Sequence, residues 1–309
     1  MSSIFTLSIV QSALELGLIY SLVALALFIS FSILNIADLS TDGCFTLGCA
    51  VCAMVTIAGH PVLALFAAMA AGICSGYITA FLQTKMGIES ILAGIIVNTG
   101  LYTINIAVMG FASNVNLFNC DTIFSIVKNA IGGNWYKILV VAGIVLVVGL
   151  LLAWFLNTRL GLSIRATGDN ASMVSASSIN PTMTVTVGLC VANALTALSG
   201  GILGQYQKSC DINLGTGMVT IALASLIIGE SLIGKGSIVR RVIGVVVGSC
   251  LYRFIVAVAL RLSVPAECLK LVSAIIVAVA IAFPYLKKHA AFVRQKSNAK
   301  SRIKNGGMQ

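Results

Sequence analysis

The chain has 309 residues, of which 59% are hydrophobic and 9% charged, with a net charge of +10. Soluble domains carry about 25% charged residues, so this composition excludes a water-facing globular surface and makes lipid the main solvent. The length suits eight to ten spans of about 20 residues. The expected fold is all-α, a polytopic membrane helix bundle without a soluble domain large enough to act alone.

The N-terminus, Met1-Ser2-Ser3, has no basic region and no small-residue cleavage pattern after it. The first apolar run is therefore expected to stay in the mature protein rather than act as a signal peptide. Nine apolar runs are long enough to count as spans: 8–33, 44–58, 62–82, 91–110, 138–156, 183–206, 217–233, 241–262 and 269–286. The second is short, which suits a partial or tilted span.

A polar stretch, Ile36 to Gly43, separates the first two runs. A similar stretch, Cys210 to Gly217, precedes the seventh. Irregular polar backbone at membrane depth survives only where protein or water surrounds it, and transporters build binding sites from such broken helices. Two ordinary surface loops remain the alternative. Asp38, Ser40, Thr41 and Asp42 are thus candidates for a path or gate. Glu230 and Arg253 join them as charges inside apolar runs, where each needs a partner, water or the bundle interior. The two are candidates to pair with each other. The glycine pairs Gly72/Gly76, Gly200/Gly204 and Gly244/Gly248 have the four-residue spacing that lets helix backbones approach.

Basic residues set orientation by the positive-inside rule. Arg159 and Arg165 fall in the 157–182 connection, and Lys235, Arg240 and Arg241 in the 234–241 connection. Seven more follow Tyr285: Lys287, Lys288, Arg294, Lys296, Lys300, Arg302 and Lys304. Placing all three segments in the cytoplasm requires an odd number of spans and an N-terminus outside. The domains are then a transmembrane part at 1–286, containing a cytoplasmic 157–182 loop, and a basic cytoplasmic tail at 287–309. The tail suits an anionic membrane leaflet rather than nucleic acid.

Catalytic signatures are missing. Gly229-Glu230-Ser231-Leu232-Ile233-Gly234-Lys235-Gly236 approaches a phosphate-binding loop, but Gly236 stands where Ser or Thr must hold Mg²⁺. Cys49-Ala-Val-Cys52 has redox or half-zinc-site spacing without a second half, and cysteines in apolar runs read as small packing residues. A membrane thiol enzyme therefore ranks low, and an autonomous secondary transporter or channel ranks second.

The segment Arg159-Leu160-Gly161-Leu162-Ser163-Ile164-Arg165-Ala166-Thr167-Gly168-Asp169-Asn170, running on to Ile179-Asn180, resembles the cytoplasmic loop of ABC-importer permeases of the branched-chain amino acid/ribose/nucleoside type. Ser178 replaces the glycine usual there. Ala37-Asp38-Leu39-Ser40 with Gly43, and Gly234-Lys235-Gly236-Ser237-Ile238-Val239, resemble two further stretches of that family, across roughly residues 10–286. Glu230 departs from a frequent glycine. Gly229-Glu230, Tyr252-Arg253 and Pro265 to Lys270 are similar to a subgroup associated with aromatic amino acids such as tryptophan or tyrosine.

The resemblance implies a non-catalytic permease subunit in a bacterial cytoplasmic membrane, with no cofactor of its own. ATP and Mg²⁺ would be bound by two separate ATP-binding subunits. A second permease chain, in a homodimer, and an extracytoplasmic substrate-binding lipoprotein would complete the importer. Arg165, Ala166, Gly168, Asp169 and Asn170 would form the ATPase-coupling loop, with a short helix carrying Ala171, Val174 and Ser178 on one side and Asp169 near its start.

Overall fold

A computed structural model describes residues 7–132, 135–234 and 236–261, with a few helical positions between 271 and 282. The described residues are nearly all helical, as the composition requires. The first apolar run becomes α1 (Leu7–Leu27), which continues as a π-helical turn over Phe28–Ile33. Then follow α2 (Thr41–Ile57), α3 (Pro61–Thr84), α4 (Ser90–Val108), β1 (Asn114–Asn116), α5 (Ile123–Ile131) and α6 (Tyr136–Asn157). The 157–182 connection folds as α7 (Arg159–Asp169) and α8 (Ala171–Ala176). The rest is α9 (Pro181–Gln207), β2 (Ser209–Asp211), α10 (Met218–Ile233) and α11 (Ile238–Arg261).

Eight of the nine expected spans thus fall on helices, and 269–286 lies largely outside the described residues. Six helices are long and apolar enough to cross a membrane by length and composition, while α2 and α10 are shorter apolar helices. The chain is a multi-pass membrane protein. The basic tail at 287–309 lies outside the described residues.

Helices α1 and α9 form the centre. Their apolar stretches are 78% and 72% buried, against 28% for α4 and α6. Ile19, Leu22, Leu25, Phe28, Phe45, Leu198 and Ile202 make the core between them. The outward faces of α3, α4 and α6 carry Phe66, Ile96, Leu146 and Trp154, as lipid-facing helices should.

All three glycine pairs stand at close helix contacts. Gly72 and Gly76 of α3 lie on the carbonyls of Asn193 and Leu189 in α9. Gly200 and Gly204 of α9 meet Phe45 and Cys49 of α2, and Gly248 of α11 meets Ser225 and Gly229 of α10. In lipid such contacts hold a bundle by dispersion.

The bundle has two distinct ends. At the basic end lie Ile33, the start of α9, the end of α10, the start of α11, and α7 with α8; Thr167 and Thr184 hydroxyls meet there at 2.8 Å. At the other end β1 and β2 pair antiparallel, Val115 opposite Cys210, in a three-residue ribbon.

A Cβ at position 76 would stand 2.6 Å from the Leu189 carbonyl oxygen, whereas one at position 100 would meet nothing within 4 Å. Gly76→Val is therefore expected to cost about 1–3 kcal/mol through overpacking. Gly100→Ala should be neutral. Thermal unfolding in mild detergent, read by size exclusion, checks the pair.

Candidate functional site

The first polar interruption is buried rather than a surface loop. Asp38 is 3% exposed, Ser40 0% and Thr41 2%. The π-helical turn delivers the chain there: Leu34 N–H bonds the Ile29 carbonyl and Ile36 N–H the Ser30 carbonyl, widening the last turn of α1. Such turns recur at functional sites.

The Asp38 carboxylate then gathers three donors. Its Oδ1 accepts from Ser40 N–H at 2.8 Å and from Ser40 Oγ–H at 2.6 Å. Its Oδ2 accepts from Asn193 Nδ2–H of α9 at 2.9 Å. Thr79 of α3 reaches Ser40 Oγ at 3.4 Å, and Thr41 Oγ–H bonds the Asp38 carbonyl at 3.0 Å. Saturating a buried carboxylate with donors is the condition for keeping it in an apolar interior.

Asp42 joins the two polar interruptions. It lies in the first turn of α2, where the helix dipole favours an anion. Its oxygens also accept Gly217 N–H and Val219 N–H, both at 2.9 Å, at the start of α10. Gly217 has φ +86 and no side chain to cap α10 itself, so Asp42 caps a second helix in trans. Gly215 N–H adds a bond to Thr46 Oγ at 3.1 Å. Two helix N-termini therefore meet on one carboxylate, and the 212–217 turn is packed against α2.

Beside this junction lies a polar cavity of about 420 Å³. Asp42, Thr46, Asn98, Tyr102, Asn105 and Asn213 are among the residues that line it.

The expected Glu230–Arg253 pair does not form. Glu230 Oε1 accepts from Arg241 at 2.6 Å and from Ser32 Oγ–H at 2.8 Å. The Arg241 guanidinium also donates to Ser32 Oγ at 2.5 Å and lies 4.7 Å from the Phe28 ring centre. The short α10–α11 connection brings Arg241 back over Glu230, while position 253 lies more than three turns further along α11. Arg253 instead stacks on Tyr20 of α1, 3.8 Å from the ring centre. That cation–π contact contributes about 0.5–2 kcal/mol.

In the 159–180 segment Arg165 and Ala166 are half-buried, and Asp169 and Asn170 are exposed. Gly168 faces inward, with its Cα against the Ile33 carbonyl, a place with no room for a Cβ. Asn170, not Asp169, caps α8, accepting Met173 N–H at 3.1 Å. Val174 is buried, and Ser178 lies beyond the helix at φ +60. The left-handed backbone there explains why glycine suits that position. The outward face of α8 is Ala171, Ser172, Met173, Ser175 and Ala176.

A fourth intramembrane carboxylate, Glu15, was not singled out in the sequence. It is 3% exposed and accepts from Gln11 Nε2–H at 3.0 Å and from Tyr206 Oη–H at 2.7 Å. The Lys137 ammonium lies 4.7 Å from the Tyr206 ring centre. The available signal was Gln11 one helical turn before an acid in an apolar run.

Comparison with known proteins shows the family of the chain. The family described as branched-chain amino acid transport system, permease component, matches residues 9–281. The chain belongs to that family, whose members are membrane permease subunits, so it is a non-catalytic transport component. A tyrosine transport system permease protein of Clostridioides difficile is 33% identical, over 94% of this chain and 98% of the relative. An uncharacterised protein of Rickettsia prowazekii is 29% identical over 89% and 97%. The ribose import permease protein of Escherichia coli is 28% identical over 68% and 66%. No solved structure matches the chain.

Replacing Asp42 with Ala removes the cap of α10 and the acid at the start of α2. It is expected to cost about 1–2 kcal/mol, measured as the shift of the detergent unfolding transition. Asp121→Ala, at an exposed acid near the ribbon, should change it little.

Proposed function

We propose that the chain is the permease subunit of an ATP-driven importer in a bacterial cytoplasmic membrane, carrying amino acids of the aromatic or branched-chain type. Two ATP-binding subunits, which hold ATP and Mg²⁺, work with two copies of this chain and an extracytoplasmic substrate-binding lipoprotein. The chain crosses the membrane nine times, with its N-terminus outside and its basic end in the cytoplasm. Its similarity to a tyrosine permease supports the amino acid class.

One observation carries the coupling mechanism: the contact of Gly168 with the Ile33 backbone. The face of α8 that bears Met173 is open to an ATPase subunit, while the opposite side of the segment rests on the end of α1. A push on α7 and α8 is passed to Ile33, the last residue of the π-helical turn, and along residues 34–37 to Asp38. Asp38 is fixed to α9 by Asn193, and Asp42, one helical turn on, is fixed to α10. Closure of the ATPase pair thereby shifts the broken helix beside the polar cavity as a rigid-body motion. Arg165, Asp169 and Asn170 shape the docking surface.

Met173→Asp puts a charge on the exposed, uncharged docking face. It should lower recovery of co-purified ATPase subunit and energised uptake at least about tenfold, while membrane insertion and the unfolding transition stay unchanged. Normal recovery and normal uptake would show that α8 is not the docking element. A chain that moves solute in liposomes without ATP would show an autonomous carrier.

A further inference from the structure

The middle of α4 carries a polar stripe that the bundle does not explain. Asn98, Thr99, Tyr102 and Thr103 lie near the centre of this 19-residue helix at spacings of one, four and five, on one face. Thr99 and Thr103 are exposed and Tyr102 is 51% exposed. Thr99 Oγ–H bonds the Ile95 carbonyl at 2.9 Å, but hydrocarbon at that depth would penalise the polar groups of Asn98, Tyr102 and Thr103. The stripe therefore faces polar contents, and all four residues line the 420 Å³ cavity beside Asp42.

A second observation points the same way. Asn105, also in the lining, is 1% exposed. Its amide nitrogen donates to the Gly43 carbonyl at 3.1 Å, but its Oδ1 has no hydrogen-bond partner among the described residues. A buried acceptor left open is destabilising unless something in the cavity donates to it.

The charge balance of the lining is one-sided. Asp42 is the only carboxylate among the described residues that line it, and none of them is Lys, Arg or His. The Thr46 and Thr99 hydroxyls are spent on the Asp42 and Ile95 carbonyls, whereas the hydroxyls of Thr103 and Tyr102 and the amides of Asn98 and Asn213 serve as either donors or acceptors. Cavities of this size take small solutes.

We propose that this cavity is a solute-binding station belonging to the permease itself, which accepts small solutes bearing an ammonium group and rejects those whose only charge is negative. The ammonium donates to Asn105 Oδ1 within the field of Asp42. A carboxylate on the same solute is held by the hydroxyl and amide donors, so a zwitterion is accepted whereas a simple acid meets no counter-charge. The station rests on reading the chain as a permease and adds a selectivity filter to it.

The test uses the full chain in lipid nanodiscs, with binding of L-phenylalanine, 2-phenylethylamine and 3-phenylpropionate followed by saturation-transfer NMR. The first two are expected to bind, and the third at least about tenfold more weakly. Asn98→Leu should weaken the first two, with Gly100→Ala as an unaffected control. Thr103→Lys adds the missing cation on an exposed position and should reverse the order in favour of 3-phenylpropionate, a gain that misfolding cannot produce. Equal binding of acid and amine to the unaltered chain, no binding of any probe, or an unchanged order in Thr103→Lys would each overturn the station. Recovery of ATPase subunits with the same preparation is read separately, so failure here is distinguishable from failure of the importer reading.

Discussion

A carboxylate buried in a membrane bundle, with no cation beside it among the described residues, is held by hydrogen-bond donors, and that constraint organises this protein. Asp38 takes two donors from Ser40 and one from Asn193. These bonds, with Thr79 reaching Ser40, fix the unwound stretch against α9 and its neighbour α3. If the stretch were loose, α2 would have no fixed starting point, and Asp42 would not be placed to cap α10. The irregular backbone is tolerated because protein encloses Asp38, Ser40 and Thr41 and a polar cavity adjoins Asp42, the condition that lipid imposes.

The second helix end depends on this. The start of α10 has glycine at its own cap position and borrows Asp42 from α2. Its far end is held by Glu230, Arg241 and Ser32, the last of these on the π-helical turn of α1. Helix α10 is thus tied at both ends to the two segments that flank the unwound stretch. With Gly168 packed on Ile33, a contiguous set of contacts leads from α7 to the cavity. Such a set is the physical requirement for passing a displacement across a bundle, and small shifts in it become discrete motions because the core is close-packed.

Much of the fold was legible in the sequence. Apolar runs located the helices because lipid demands an uninterrupted length, and the glycine pairs marked close contacts because only a missing Cβ permits them. Asp38 and Asp42 stood out as acids at the edges of apolar runs. Their roles did not, since Asn193 and Val219 are far away in sequence and no periodicity links them. Arg241 read as an orientation marker in a basic cluster, which hid its bond to Glu230 and favoured Arg253 instead. Glu15 passed unnoticed because a single acid scarcely lowers the hydropathy of its span, and its partner Tyr206 is 191 residues away in sequence. The π-helical turn leaves no compositional trace, and the ribbon at 114–116 and 209–211 is too short to show alternation.

The central claim is that α7 and the capped start of α10 belong to one mechanical unit. Hydrogen–deuterium exchange of the chain in nanodiscs, resolved at the amides of Ser40, Gly217 and Val219, tests it most directly. In the unaltered chain these amides are bonded to Asp38 and Asp42 and should exchange slowly. Gly168→Val forces α7 away from Ile33, and the account predicts that all three amides then exchange faster together, by about tenfold. Faster exchange confined to the α7–α8 segment, with Gly217 and Val219 unchanged, would contradict it.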